Sequence, residues 1–92
     1  MKSAYELAME RLEKQAPTQK LTEAQKAEIA EIESLAKSRT AEKELFLGEQ
    51  IAKARARRQL DEVAAIEKQL AAELRRIQEE SEEKKERVRR RE

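Results

Sequence analysis

Runs of charged side chains are the feature of this chain whose residue types and spacing most suggest chemistry. The segments 53–58 and 84–91 are basic, and the run Glu79–Glu83 is acidic. Clustered cations can neutralise the phosphates of a nucleic acid, whereas clustered carboxylates can coordinate a hard metal ion. The chemistry to be weighed is therefore electrostatic.

The acidic run lacks the pattern of a metal site. Consecutive helix positions point in different directions, and the glycine-bearing loop of a calcium site is missing. A di-metal helical bundle needs histidines beside its glutamates, and the chain has no histidine. We expect no metal site, but a solvated helix face held by salt bridges.

The two basic segments could instead form a surface for nucleic acid. Interleaved acids and an aromatic content of only 2% weaken that interpretation, because bases usually stack on aromatic side chains. The first segment also completes a helix C-terminus, where cations are favourable, and the second can pair with acids near the start of a neighbouring helix. We expect these structural roles, with a nucleic-acid-associated architectural protein as the alternative. The residues of this predicted basic surface are Arg55, Arg57, Arg58, Arg89, Arg90 and Arg91.

Residues for covalent or acid–base catalysis are missing from the sequence. Without cysteine or histidine there is neither a thiolate nucleophile nor the commonest general base. The serines lack a base partner, a single glycine excludes a glycine-rich phosphate loop, and Tyr5 falls on an apolar helix face. We predict that the chain is not an enzyme and binds no cofactor.

Composition points to one all-α domain over residues 1–92. Charged residues make up 45% of the chain, with one glycine and one proline, a pattern typical of long helices and coiled coils. No run of 18 apolar residues occurs, and the N-terminus has no signal-peptide pattern. We therefore expect neither a membrane span nor a secretion signal, and a cytoplasmic location.

An apolar stripe that changes sides predicts a helical hairpin. At about 100° per residue, the large apolar residues before Gln59 share one face and those after Asp61 share a face rotated by about half a turn. One straight helix cannot bury both stripes against a single partner, so the chain should reverse there. The first stripe contains Ile29, Ile32, Leu47, Ile51 and Ala54, and the second contains Val63, Ile66, Leu70, Leu74 and Ile77.

Capping patterns place the helix ends. Ser3 with Glu6, and Thr22 with Gln25, have the spacing of capping boxes, and Asp61 suits the N-cap of the last helix. The predicted elements are a helix over 3–16, a loop over 17–21, a helix over 22–58, a turn over 59–61 and a helix over 62–90.

The register of the hairpin follows from charge and apolar matching. If facing residue numbers add to about 120, apolar layers coincide, as for Ala54 with Ile66. The same register opposes unlike charges, and only Glu28 with Glu92 clashes. The expected charge pairs are Lys53 with Glu67, Glu44 with Arg76, Lys37 with Glu83, Glu33 with Arg87, and Glu31 with Arg89.

A second stripe of small residues lies opposite the first on the long middle helix. We expect its start, Ala24 to Ser34, to receive the short first helix folding back. The segment 41–56 should pack against a second chain and form a dimeric four-helix bundle. The expected self-association residues are Ala41, Leu45, Gly48 and Ala52. The alternative architecture is one continuous helix from Thr22 onward in a parallel dimer.

The opening Lys2-Ser3-Ala4-Tyr5-Glu6-Leu7-Ala8-Met9-Glu10-Arg11-Leu12-Glu13-Lys14, with Leu21-Thr22 and the glutamate- and lysine-rich helices, resembles small uncharacterised bacterial coiled-coil proteins. This resemblance implies a free-standing bacterial protein and transfers no activity, cofactor or site. Our main expectation is a structural or protein–protein interaction module. It presents a rigid helical surface and forms a homodimer, and it has room for a further protein partner.

Overall fold

Three helices make up the chain in the computed structural model, which describes residues 3–15 and 20–91. They are α1 (Ala4–Gln15), α2 (Glu23–Ala56) and α3 (Leu60–Arg90), and the described residues contain no strand. α2 and α3 pack side by side as an antiparallel hairpin. The predicted all-α hairpin is confirmed, and the alternative of one continuous helix from Thr22 is wrong. Ala16 of the predicted first helix, and residues 17–19 of the predicted loop, lie outside the described residues.

Side-chain caps fix the start of each of the first two helices. The Glu6 amide donates to Ser3 Oγ at 3.2 Å. At α2 the full capping box forms: the Gln25 amide donates to Thr22 Oγ1 at 3.0 Å, and the Thr22 amide donates to Gln25 Oε1 at 2.8 Å. Both caps occur where the sequence predicts them.

Gln25 has a second role that closes the open end of the hairpin. Its Nε2 donates to the carbonyl oxygens of Val88 and Arg91, both at 2.9 Å. Carbonyls in the last turn of a helix lack intrahelical partners, so one side chain caps the start of α2 and satisfies the end of α3.

The reversal between α2 and α3 is a Schellman motif made without glycine. The Gln59 amide donates to Ala54 O at 2.9 Å, and the Arg58 amide donates to Arg55 O at 3.0 Å. This geometry requires a left-handed residue after the C-cap, and Arg58 adopts it with φ 58°. The sequence signal was weak because glycine, the usual residue there, is absent.

The predicted boundaries around this turn are therefore displaced. α2 ends at Ala56 instead of Arg58, and α3 begins at Leu60 instead of Glu62. Asp61 is not the N-cap. Gln59 occupies that position without a side-chain hydrogen bond, and Asp61 lies in the first turn, where the helix dipole still favours its charge.

The core is a single seam between the two long helices. The predicted stripes face each other along it, and each of their members is buried or half-buried. Burial is deepest at Ile77, which is 2% exposed, and at Leu47 and Val88, which are each 3% exposed. Beyond Ile77 the seam becomes polar at the buried Ser81 before Val88 closes it. Two helices cannot enclose a seam on all sides, so most of the apolar positions stay partly exposed.

α1 does not fold back on the small-residue stripe of α2, contrary to expectation. It forms no packed interface with α2 or α3, and Tyr5 and Met9 on its apolar face are 73% and 43% exposed. The reason is the chemistry of the stripe between Ala24 and Ser34, because alanine and serine offer little apolar area to bury.

Arg58→Gly should stabilise the hairpin by about 0.5–1 kcal/mol. A left-handed conformation costs a residue with a Cβ about 1–2 kcal/mol, and the greater freedom of glycine in the unfolded chain offsets part of that gain. The measurement is the midpoint of urea unfolding. Arg57→Gly is the matched control and should destabilise, because Arg57 has φ −87°. Equal effects of the two variants would contradict this account of the turn.

Candidate functional site

Ion pairs across the hairpin define its register. Their residue numbers add to 118 for Glu33 with Lys85, to 119 for Arg39 with Glu80 and for Glu28 with Arg91, and to 122 for Arg55 with Glu67. The predicted register of about 120 is therefore confirmed, and Glu92 of the predicted clash lies outside the described residues.

The individual partners differ from the predicted ones. Glu67 pairs with Arg55 instead of Lys53, and Glu33 with Lys85 instead of Arg87. Arg87 pairs along its own helix with Glu83 at 3.1 Å. The reason is the direction of each side chain, since a matching level along the axis does not place two residues on the same flank of the hairpin.

Lys85 is the most enclosed cation among the ion pairs of the described residues. Its side chain is 11% exposed and its Nζ lies 2.9 Å from Glu82 and 3.5 Å from Glu33. The hydrogen bond with Glu82 raises the pKa of Lys85 and lowers that of Glu82. The raised pKa favours the protonated form of Lys85, in which its amine is not nucleophilic.

The groove beside Lys85 has a volume of about 370 Å³. Its lining includes Ala36, Thr40 and Ser81. The groove combines a charged lysine with hydroxyls, so it can hold polar groups or water. Among residues 3–15 and 20–91, no group of three or more acidic side chains is placed to hold a metal ion.

The acidic run is divided among separate ion pairs. Glu80 binds Arg39 at 3.0 Å, Glu82 binds Lys85, and Glu83 binds Arg87. The hydrogen bond from Arg39 lowers the pKa of Glu80. This arrangement is the salt-bridged face that the sequence predicts.

The predicted basic residues fall at opposite ends of the hairpin and do not form one patch. Arg55, Arg57 and Arg58 lie at the turn, and the other cluster lies at the end of α3. Arg89 and Arg90 both reach Glu86 at 3.4 Å, and Arg91 makes two hydrogen bonds to Glu28 at 2.8 and 2.9 Å. Carboxylates therefore already neutralise much of the open-end cluster.

The predicted self-association residues form an outward stripe on α2. Ala41, Leu45 and Ala52 are exposed and Gly48 is half-buried. Leu45 has 68% of its surface exposed. A Cβ added at Gly48 would meet no atom within 4 Å, so no contact inside this chain requires the glycine.

A groove at the open end was not foreseen from the sequence. It has a volume of about 290 Å³ and combines an apolar floor with charges on both sides. Leu35, which is 62% exposed, was the available signal because it lies off both stripes. The floor is Ile32, Leu35 and Val88, the α3 side is Lys84, Arg87 and Arg91, and the α2 side is Glu28 and Glu31.

Comparison with protein-family models, curated proteins and solved structures gives no match to this chain. Within the described residues, no helix has the length and apolarity needed to cross a membrane.

Acid should weaken the hairpin partly through Glu80 and Glu82. Each has a pKa below its ordinary value of 4.5, so the stabilisation from these ion pairs is present above pH 4.5 and is lost as the pH falls through the lowered values. The double variant Glu80→Gln, Glu82→Gln should therefore be less stable than the parent at pH 7, and the difference should shrink between pH 4.5 and 3.

Thermal unfolding followed by circular dichroism at each pH measures this difference. Glu79→Gln is the matched control, because the described structure gives Glu79 no ion pair, and it should show little change with pH relative to the parent. A stability difference for the double variant that stays constant down to pH 3 would contradict the assignment.

Proposed function

We propose that this chain is a non-enzymatic structural or protein–protein interaction module that forms a homodimer through the outward stripe of α2. The observation that carries the proposal is the exposure of Leu45, which is 68% accessible in the middle of a long regular helix. The small neighbours Ala41, Gly48 and Ala52 would let a partner helix approach closely around it. The composition, together with the resemblance to bacterial coiled-coil proteins, supports a cytoplasmic bacterial setting.

The thin core supports self-association. Among the described residues, only five apolar side chains are buried: Leu47, Ala54, Val63, Ile77 and Val88. Small domains with little core commonly gain stability from oligomerisation. A second hairpin over the stripe would bury Leu45 and its small neighbours, and would convert the two-helix pair into a four-helix bundle.

The nucleic-acid alternative has less support. Phosphate binding needs accessible cations on one surface, whereas the basic residues lie at both ends and Arg91 is engaged by Glu28. Retention on heparin at moderate salt would favour this alternative, and we expect none.

Leu45→Glu should dissociate the dimer and lower its melting temperature, because a charge would be buried against the partner helix. Analytical ultracentrifugation measures the mass and circular dichroism the stability. Phe46→Glu is the matched control: Phe46 is 59% exposed but points about 100° away from Leu45. It should leave the mass unchanged. A dimer that survives Leu45→Glu, or dissociates equally with Phe46→Glu, would show that the stripe is not the interface.

Gly48→Ala should change the stability of the monomer and the affinity of the dimer in opposite directions. In the isolated hairpin the added methyl meets open space, so the monomer should gain about 1 kcal/mol from helix propensity. In the dimer the same methyl should hold the helices apart and weaken association. The effect on the monomer is the change in unfolding free energy when Gly48→Ala is added to the Leu45→Glu variant. The effect on the dimer is the difference between the dissociation constants of the parent and of Gly48→Ala. An unchanged or tighter dimer would show that Gly48 is not at a close helix contact.

A further inference from the structure

The groove at the open end and the unpartnered helix α1 have matching chemistry. The groove floor is apolar, with Leu35 62% exposed, and the apolar face of α1 is open at Tyr5 and Met9. A helix of 12 residues is marginal in water without a packing partner. Each surface could therefore supply the apolar contact that the other lacks.

Two charged residues that line the groove make no ion pair among the described residues, and their positions indicate how α1 would be oriented in it. Lys84 on the α3 side of the groove and Glu31 on the α2 side have no ion pair in the described structure, whereas Arg87 and Arg91 are engaged by Glu83 and Glu28. On α1, Glu6 flanks the apolar face on one side and Arg11 on the other, at about 100° per residue. Each side of the groove thus has a charge outside any ion pair of the described residues that one flank of α1 complements, and Lys84 acts on Glu80 only at longer range.

The handedness of the helix decides how α1 must lie. With its apolar face on the groove floor, Glu6 faces the α3 side and Arg11 the α2 side only when α1 runs antiparallel to α2. In that orientation the C-terminus of α1 lies at the open end, where α2 begins. The seven residues 16–22 that join the helices can span about 23 Å, which is ample for this connection.

One register satisfies both charge pairs. Cross-hairpin pairs add to about 119, as for Arg39 with Glu80, which places Lys84 level with position 35 of α2. When Arg11 lies level with Glu31, Glu6 lies level with position 36, within about 1.5 Å of Lys84 along the axis. In the same register Met9 lies beside Ile32, and Ala8 beside Leu35.

We propose that α1 closes onto its own hairpin in this groove, antiparallel to α2, with Glu6 against Lys84 and Arg11 against Glu31. In the structure no described residue of α1 lines the groove, and α1 makes only slight contact with the two long helices. Closure covers Leu35, Tyr5 and Met9 and converts the open end into a three-helix bundle. The occupant is a segment of the same chain, so closure does not depend on the α2 dimer.

Disulfide trapping tests the closed form, because the natural chain has no cysteine. Ala8→Cys with Leu35→Cys should form an intrachain disulfide at least about tenfold faster than Ala8→Cys with Ser34→Cys, since only residues on the groove side gain a high effective concentration. Ser34 is the matched control because it adjoins Leu35 in sequence but lies on the small-residue stripe. Equal rates, a faster control, or disulfides formed mainly between chains would overturn the proposal.

A second measurement keeps Leu35 intact. Amide hydrogen exchange of α1 should be about twofold to fivefold faster in Glu6→Lys and in Lys84→Glu than in the parent, the size expected for one exposed ion pair. The double variant should recover the protection of the parent. Unprotected α1 amides in the parent, or a double variant that exchanges as fast as the single variants, would overturn the proposal.

Discussion

The reversal of the chain between Ala56 and Leu60 is the constraint on which the rest of the molecule depends. The Schellman hydrogen bonds from Arg58 and Gln59 end α2 in one geometry, and α3 starts after three intervening residues. That geometry sets which residues lie level across the hairpin. Three features follow from it: the burial of Leu47 in the seam, the ion pair of Arg39 with Glu80, and the position of Lys85.

Two kinds of contact hold the hairpin together, and they have different roles. Apolar burial at Leu47 and Ile77 provides most of the stability, at about 1.5–3 kcal/mol for each large side chain. The cross-hairpin ion pairs involve mostly exposed groups, which contribute little stability each. They help to discriminate between registers, because a shift of about one turn would place Arg39 opposite Lys84 or Arg76 instead of Glu80. Lys85 differs, since its side chain is enclosed between Glu82 of its own helix and Glu33 of α2, and a shift would remove Glu33 from it.

The sequence was informative where a periodic pattern or a capping motif was strong. The change of face between Ile51 and Ile66 predicted the hairpin, and Thr22 with Gln25 predicted the start of α2. The predicted bounds of the turn were displaced because Arg58 adopts a left-handed conformation, which an arginine in the sequence does not indicate. Ion-pair partners were wrong in detail because level and flank must both match, and the sum of the residue numbers fixes only the level. The open-end groove escaped prediction because it requires Leu35, Val88 and Lys84 to be placed together in three dimensions.

The double hydrogen bond from Gln25 to Val88 and Arg91 has a consequence for how the molecule folds. Contacts beside the reversal join residues near one another in sequence, so they form early, and each successive pair closes only a small additional loop. The bond between positions 25 and 91 closes the longest loop among the described contacts of the hairpin and should form last. Spontaneous opening of the folded state should then begin with loss of the Gln25 hydrogen bonds at the open end and proceed toward the reversal, which separates last.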